Sequence, residues 1–173
     1  PSTPSSNNST VIGATFKVYS SFDMNALKNS GVHLPQVLKN PPDQLLQPIS
    51  STQVAWTSST AMGTTATTHL GNNLSYDASS NSFKSGTVNS ISRTVNGSKI
   101  FDLTTGTNNN EVAMGQAKNN GSSAIDYLFA GNDNIIGSTQ NDTLTGFSGN
   151  DTINGGGGTD TVFFANSAAS YDV

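Results

Sequence analysis

An aspartate recurs at every ninth residue late in this 173-residue chain: Asp133, Asp142, Asp151 and Asp160. Two residues after each stands one aliphatic side chain: Ile135, Leu144, Ile153 and Val162. Aligned on the aspartate, the units read LFAGNDNII, GSTQNDTLT, GFSGNDTIN and GGGGTDTVF. The template behind them is G-G-x-G-x-D-x-U-x, with U a large aliphatic. In each unit the first six residues, rich in Gly, Asn and Ser, suit a tight turn because they tolerate left-handed backbone angles. The last three suit a minimal strand whose middle side chain points inward. Two units complete one coil of a parallel β-roll.

Coils stacked at the parallel-strand spacing of about 4.8 Å bring aspartates two units apart into register. Two carboxylates about 5 Å apart at an effective dielectric near 20 repel by roughly 3 kcal/mol. A hard cation between them reverses the sign. Ca²⁺ takes six to eight oxygens from carboxylates and carbonyls in irregular geometry, and the turns supply both kinds. Zn²⁺ wants His or Cys, and Mg²⁺ a tighter octahedron. The competing reading makes the aspartates turn formers without metal. Four of them, stacked and unneutralised, favour the cation.

These four units resemble the repeats-in-toxin (hemolysin-type calcium-binding) proteins, whose nonapeptide forms a calcium-bound β-roll. The resemblance covers about 36 of the 173 residues. It implies that Asp133 pairs with Asp151 and Asp142 with Asp160, giving two Ca²⁺ sites, one along each edge of the roll. It also implies backbone carbonyl ligands near Gly131, Gly149 and Gly158. The sequence departs from the template at Leu128 and Phe129, at Ser138, Thr139 and Gln140, and at Phe147, which places the Asp142 site in more doubt than the Asp133 site. Four units make barely two coils, whose ends need covering. The upstream sheet is expected to cap one end, and Phe163, Phe164 and Tyr171 the other.

Upstream, residues 1–10 read as a polar linker, and 11–123 as a β-rich domain with one or two short helices. VIGATFKVY reads as a strand. Short helices are expected over SFDMNALKNSG, with Ser21 as N-cap, and LPQVLKN, with a further turn at DQLLQP. From Thr52 to Thr105, β-branched runs punctuated by Asn-Gly and Gly-Asn pairs predict sheet, with a hairpin at Asn96-Gly97. EVAMGQAK is compatible with a helical turn. Residues 124–173 are then the roll with its C-terminal cap. The fold class is mainly β, and the polar opening and the end in mid-pattern read as a fragment of a longer protein.

Composition narrows the function. Charged residues make up only 10% of the chain. Four of the eleven acids lie in the array, leaving seven against seven bases, so the acidity is local and points to a cation, not nucleic acid. There is no Cys, hence no disulfide or thiolate metal site. No EF-hand loop, H-E-x-x-H, G-x-S-x-G or phosphate-loop motif is present, and GGGGTD lacks the Lys of a phosphate cradle. There is no 18-residue apolar run to span a membrane.

The expectation is a non-enzymatic, secreted or surface-exposed bacterial calcium-binding module. Its folding depends on calcium, it is exported by type I secretion, and it serves a structural, self-assembling or adhesive role. Alternatives are the noncatalytic tail of a secreted enzyme and a haem-binding module. Residues 71–92 resemble part of the haemophore family, in which a tyrosine matching Tyr76 and a histidine near His33 ligate haem iron. The other reading of Tyr76 is a strand residue packing its ring, with His33 and His69 at the surface or in packing, and Trp56 in the core.

Overall fold

A computed structural model of the chain describes residues 12–24, 44–46, 50–60, 63–77, 82–106 and 124–164. The linker, His33, Tyr171, and the segments read as helix beyond Met24, over LPQVLKN and over EVAMGQAK lie outside them. The elements are β1 (Ile12–Val18), β2 (Gln44–Leu46), β3 (Gln53–Thr60), β4 (Gly63–Asp77), β5 (Ser82–Val95), β6 (Ser98–Thr104), α1 (Ala124–Leu128), β7 (Asn132–Ile136), β8 (Thr143–Leu144), β9 (Thr152–Asn154) and β10 (Thr161–Val162). The protein is mainly β, as its sequence predicts.

One sheet of eight strands runs in the order β2-β3-β4-β5-β6-β1-β7-β9. The six upstream strands pair antiparallel. From β1 outward the pairing turns parallel, β1 to β7 and β7 to β9. β8 and β10 form a second, parallel pair. The β-rich region and the repeats therefore share one backbone ladder, and β1 is the strand at which the pairing changes sense.

Local chemistry accounts for most of these elements. The β5–β6 hairpin turns at Asn96 and Gly97, whose φ angles of 49° and 79° fit the left-handed two-residue turn that Asn-Gly favours. In β4 and β5 the pairing slips between Asn72 and Ser75, where Asn73 and Gly86 take positive φ of 52° and 119°. That bulge lets Gly71, Leu74 and Val88 all stay buried across a long hairpin.

Within DQLLQP the described residues are strand, not a turn of helix: Gln44–Leu46 pairs Leu45 with Trp56. The open edge of β3 satisfies backbone groups that one helical turn would leave unmet. The one helix fully within the described residues, α1, stands where no helix was expected. It runs into the first repeat, and Ile125, Leu128 and Phe129 are buried beneath the sheet.

An aromatic cluster binds the sheet to the roll. Phe16 of β1 packs on Phe101 (ring centroids 5.2 Å apart), Phe22 (5.5 Å) and Phe129 (5.8 Å), and Phe129 stacks on Phe147 of the third repeat at 5.3 Å. Phe16 is 2% exposed. Phe16→Ala is expected to cost about 3–5 kcal/mol in urea unfolding. The loss should appear in both the sheet and the repeats, read by hydrogen exchange at β6 and β7.

Candidate metal centre

The four repeat aliphatics grade outward from the sheet. Ile135 and Leu144 are fully buried, Ile153 is half-buried and Val162 is 36% exposed. A stack of two coils buries only the coil that rests on something else. The same gradient holds for the aspartates: Asp133 and Asp142 are each 2% exposed, whereas Asp151 and Asp160 are half-buried.

Coils are joined by the aspartates themselves. The backbone N–H of Asp133 donates to Asp151 Oδ1 at 2.9 Å, and that of Asp142 to Asp160 Oδ1 at 3.0 Å. The expected partners, eighteen residues apart, are thus brought together. Asn side chains run a second ladder in the opposite direction. Asn150 N–H donates to Asn132 Oδ1 at 3.0 Å and Thr159 N–H to Asn141 Oδ1 at 2.8 Å. Each turn is therefore tied to its neighbour through both members of its Asn-Asp pair.

The first coil receives the same bonds from β1 and the loop after it. Ala14 N–H donates to Asp133 Oδ1, and Phe22 N–H to Asp142 Oδ1 at 2.8 Å. Thr143 N–H bonds Phe22 carbonyl at 2.8 Å, just as Thr161 N–H bonds Asp142 carbonyl at 2.8 Å one coil later. Asp23 bridges Thr143 in parallel. Residues 12–23 are thus a preceding coil without the repeat sequence. This is the capping expected of the upstream sheet, achieved by imitation of a turn.

Glycine is required where turns stack. A methyl group on Gly149 would lie 1.9 Å from the Gly131 carbonyl oxygen, and Gly149 has φ of 131°. Gly158, with φ of 102°, stacks in the same way over Gln140. Phe147 holds a left-handed φ of 65° without being glycine, and its ring is stacked on Phe129.

The Asp133 carboxylate is electrically unsettled. Its Oδ2 is buried with no hydrogen-bond partner. Burial, opposed by the Ala14 N–H and reinforced by the charge of Asp151, pushes its pKa up to about 7. Asp151 is also raised, by burial against the opposing N–H of Asp133. Among the described residues no three His, Cys, Asp or Glu side chains converge on a point. Two stacked carboxylates amid turn carbonyls suit a hard, oxygen-seeking cation and do not suit Zn²⁺.

Tyr76 lies elsewhere on the sheet, its ring 5.4 Å from Trp56 and 5.2 Å from Phe83. His69, fully buried, packs edge-on against Trp56 at 5.1 Å. Sequence reasoning missed Asn132, Asn141 and Ser138. The first two had a legible signal, an Asn before the Asp in three of four units. The Ala14 and Phe22 amides had none, being backbone groups over a hundred residues away.

Gly149→Ala is expected to unstack the outer coil. Exchange protection at β9 should be lost while the β5–β6 hairpin keeps its own, because the added methyl meets the Gly131 carbonyl with no flexible group to yield.

Residues 127–162 match the family model of the RTX calcium-binding nonapeptide repeat, in four copies. Neither a curated protein nor a solved structure matches the chain. The matched span begins in α1, covers all four stacked turns and ends at Val162. With period, stacked aspartates and family match in agreement, residues 127–162 are an RTX calcium-binding repeat segment, and the ion its repeats bind is Ca²⁺.

Proposed function

We propose that this chain is an extracellular calcium-binding module of a secreted or surface-exposed bacterial protein, structural in role, whose roll is completed by calcium. The observation that carries the reading is the buried, unpartnered Oδ2 of Asp133 beside Asp151. A buried carboxylate in that state is stable when protonated or when a cation meets it. Asp133 and Asp151 would hold the ion on one edge, with carbonyls near Gly131 and Gly149. Asp142, Asp160 and the carbonyl near Gly158 form the second edge.

The mechanism is linkage. Where calcium is scarce, charged aspartates disfavour the stacked coils. At the millimolar calcium of extracellular media, binding adds to folding free energy. This suits a chain exported unfolded and folded outside, as the repeats' typical occurrence in secreted bacterial proteins supports. A structural or self-assembling role is favoured by the low charge and by the outer coil, where Val162, Phe163 and Phe164 are 36%, 46% and 44% exposed. Phe163 and Phe164 present an apolar surface there. The aromatic packing of Tyr76 supports a core role for it over haem ligation.

Calorimetric titration with CaCl₂ is the test. Saturable binding that Asp133→Asn removes is expected, and no heat up to about 10 mM, beyond the weakest extracellular modules, would overturn the reading. The pH dependence follows from the raised Asp133 pKa of about 7 against its ordinary 3.8. Between those values the folded state keeps a proton that the unfolded state has lost. Calcium-free stability therefore falls as pH rises from about 4 to about 7 and is lowest above that. Calcium binds the charged form, so its affinity should climb over the same window and level off above about pH 7. For the assembly role, electron microscopy should find polymers at millimolar calcium and none in chelator. A strict monomer in both would remove that role.

A further inference from the structure

The two edges of the roll carry aspartates at identical repeat positions but satisfy them differently. On the second edge Asp142 is fully engaged by protein. Its Oδ1 accepts Phe22 N–H at 2.8 Å, and its Oδ2 accepts both the Ser138 N–H at 2.7 Å and the Ser138 hydroxyl at 2.9 Å. On the first edge Asp133 Oδ1 accepts Ala14 N–H, and Oδ2 accepts nothing. The repeat position of Ser138 is held there by Phe129, whose N–H is committed to the Ile125 carbonyl at 2.9 Å by α1. Helix α1 thus removes from Asp133 the donor that Asp142 keeps, and Phe129 has no hydroxyl to replace it.

The fourth position of the second turn departs as well. Gln140 stands where the other turns have Gly131, Gly149 and Gly158; like Gly131 it takes no positive φ, but unlike a glycine it carries a side chain. Its Oε1 is held by Ser21 N–H at 3.0 Å, which ties this turn to the loop after β1. Ser21 Oγ donates to the Asn141 carbonyl at 2.6 Å. The second turn is therefore tied by side chains to the loop after β1, and its carboxylate already has three donors. Three donors on one buried carboxylate stabilise its charge without a metal.

We propose that the roll is asymmetric toward calcium. The Asp133–Asp151 edge takes one ion tightly. On the Asp142–Asp160 edge Ser138 stands in for the ion, so that edge binds at least about tenfold more weakly, the equivalent of one hydrogen bond to a charged group. Ser138 is then a specificity-determining residue: it sets how many ions the module holds at a given calcium concentration. This rests on the calcium-binding reading above.

Calorimetry on the full chain with CaCl₂, with terbium luminescence as an independent count, is the test. The wild type should bind one ion tightly. Asp133→Asn should remove that ion, and Asp142→Asn should remove the weaker one. Ser138→Gly, which restores the template residue and deletes the hydroxyl, should strengthen the weaker site about tenfold. Two wild-type ions of equal affinity, or a tight ion lost in Asp142→Asn but kept in Asp133→Asn, would overturn the asymmetry while leaving calcium binding intact. No binding by the wild type would overturn both. The wild-type count needs no variant, so a mutant that fails to fold does not spare the proposal.

Discussion

The structure depends on one bond repeated four times: an aspartate oxygen accepting the backbone N–H of the coil before it. Asp151 and Asp160 accept from Asp133 and Asp142, which accept from Ala14 and Phe22. A carboxylate accepting an amide gains a charge-assisted bond, but burial exacts a desolvation cost that one amide does not cover. Every other property of the roll follows from how that deficit is met. At Asp142, Ser138 meets it. At Asp133 the deficit stands, and there a cation has something to do.

The junction with the sheet explains how so short a repeat array holds together. Two coils alone would expose both ends of their aliphatic column. Here β1 lies against β7 in parallel register, and the loop after β1 supplies the matching turn. The inner aliphatics Ile135 and Leu144 are sealed by this arrangement, and Val162 at the far end is not. Pairing β1 with β7 closes a loop of more than a hundred residues, a costly step in chain entropy. The Phe16–Phe22–Phe101–Phe129 cluster offsets part of that cost by burying three rings, with Phe22 partly buried against them, at the same junction. Stability of the calcium site and packing of the sheet are therefore linked: whatever loosens β1 withdraws the Ala14 amide from Asp133.

Electrostatics then sets one carboxylate of the roll apart: burial pushes the pKa of Asp133 up to about 7. On the calcium reading proposed above, an ion at that point would remove the penalty. The outer aspartates, Asp151 and Asp160, are half-buried. The charge the fold has buried most deeply lies next to the sheet, at Asp133 and Asp142.

The nine-residue period, its inward aliphatic and its stacked Asp pairs were legible in the sequence, because periodicity is a property of spacing alone. So were the Asn96-Gly97 hairpin, set by local backbone preference, and the oxygen-rich chemistry that selects calcium. Tertiary structure decided the rest. Gln44–Leu46 within DQLLQP became a strand because an open edge was waiting for it. Ala14 and Phe22 became the first coil's donors because every residue carries an amide, and only the fold chooses which amides meet a distant carboxylate. Asp133 and Asp142 occupy the same position of the same repeat, and the sequence marks their turns as different at Phe129 and Ser138. Only the folded chain shows what that difference does: one carboxylate lost its donor to a helix and the other gained a serine hydroxyl.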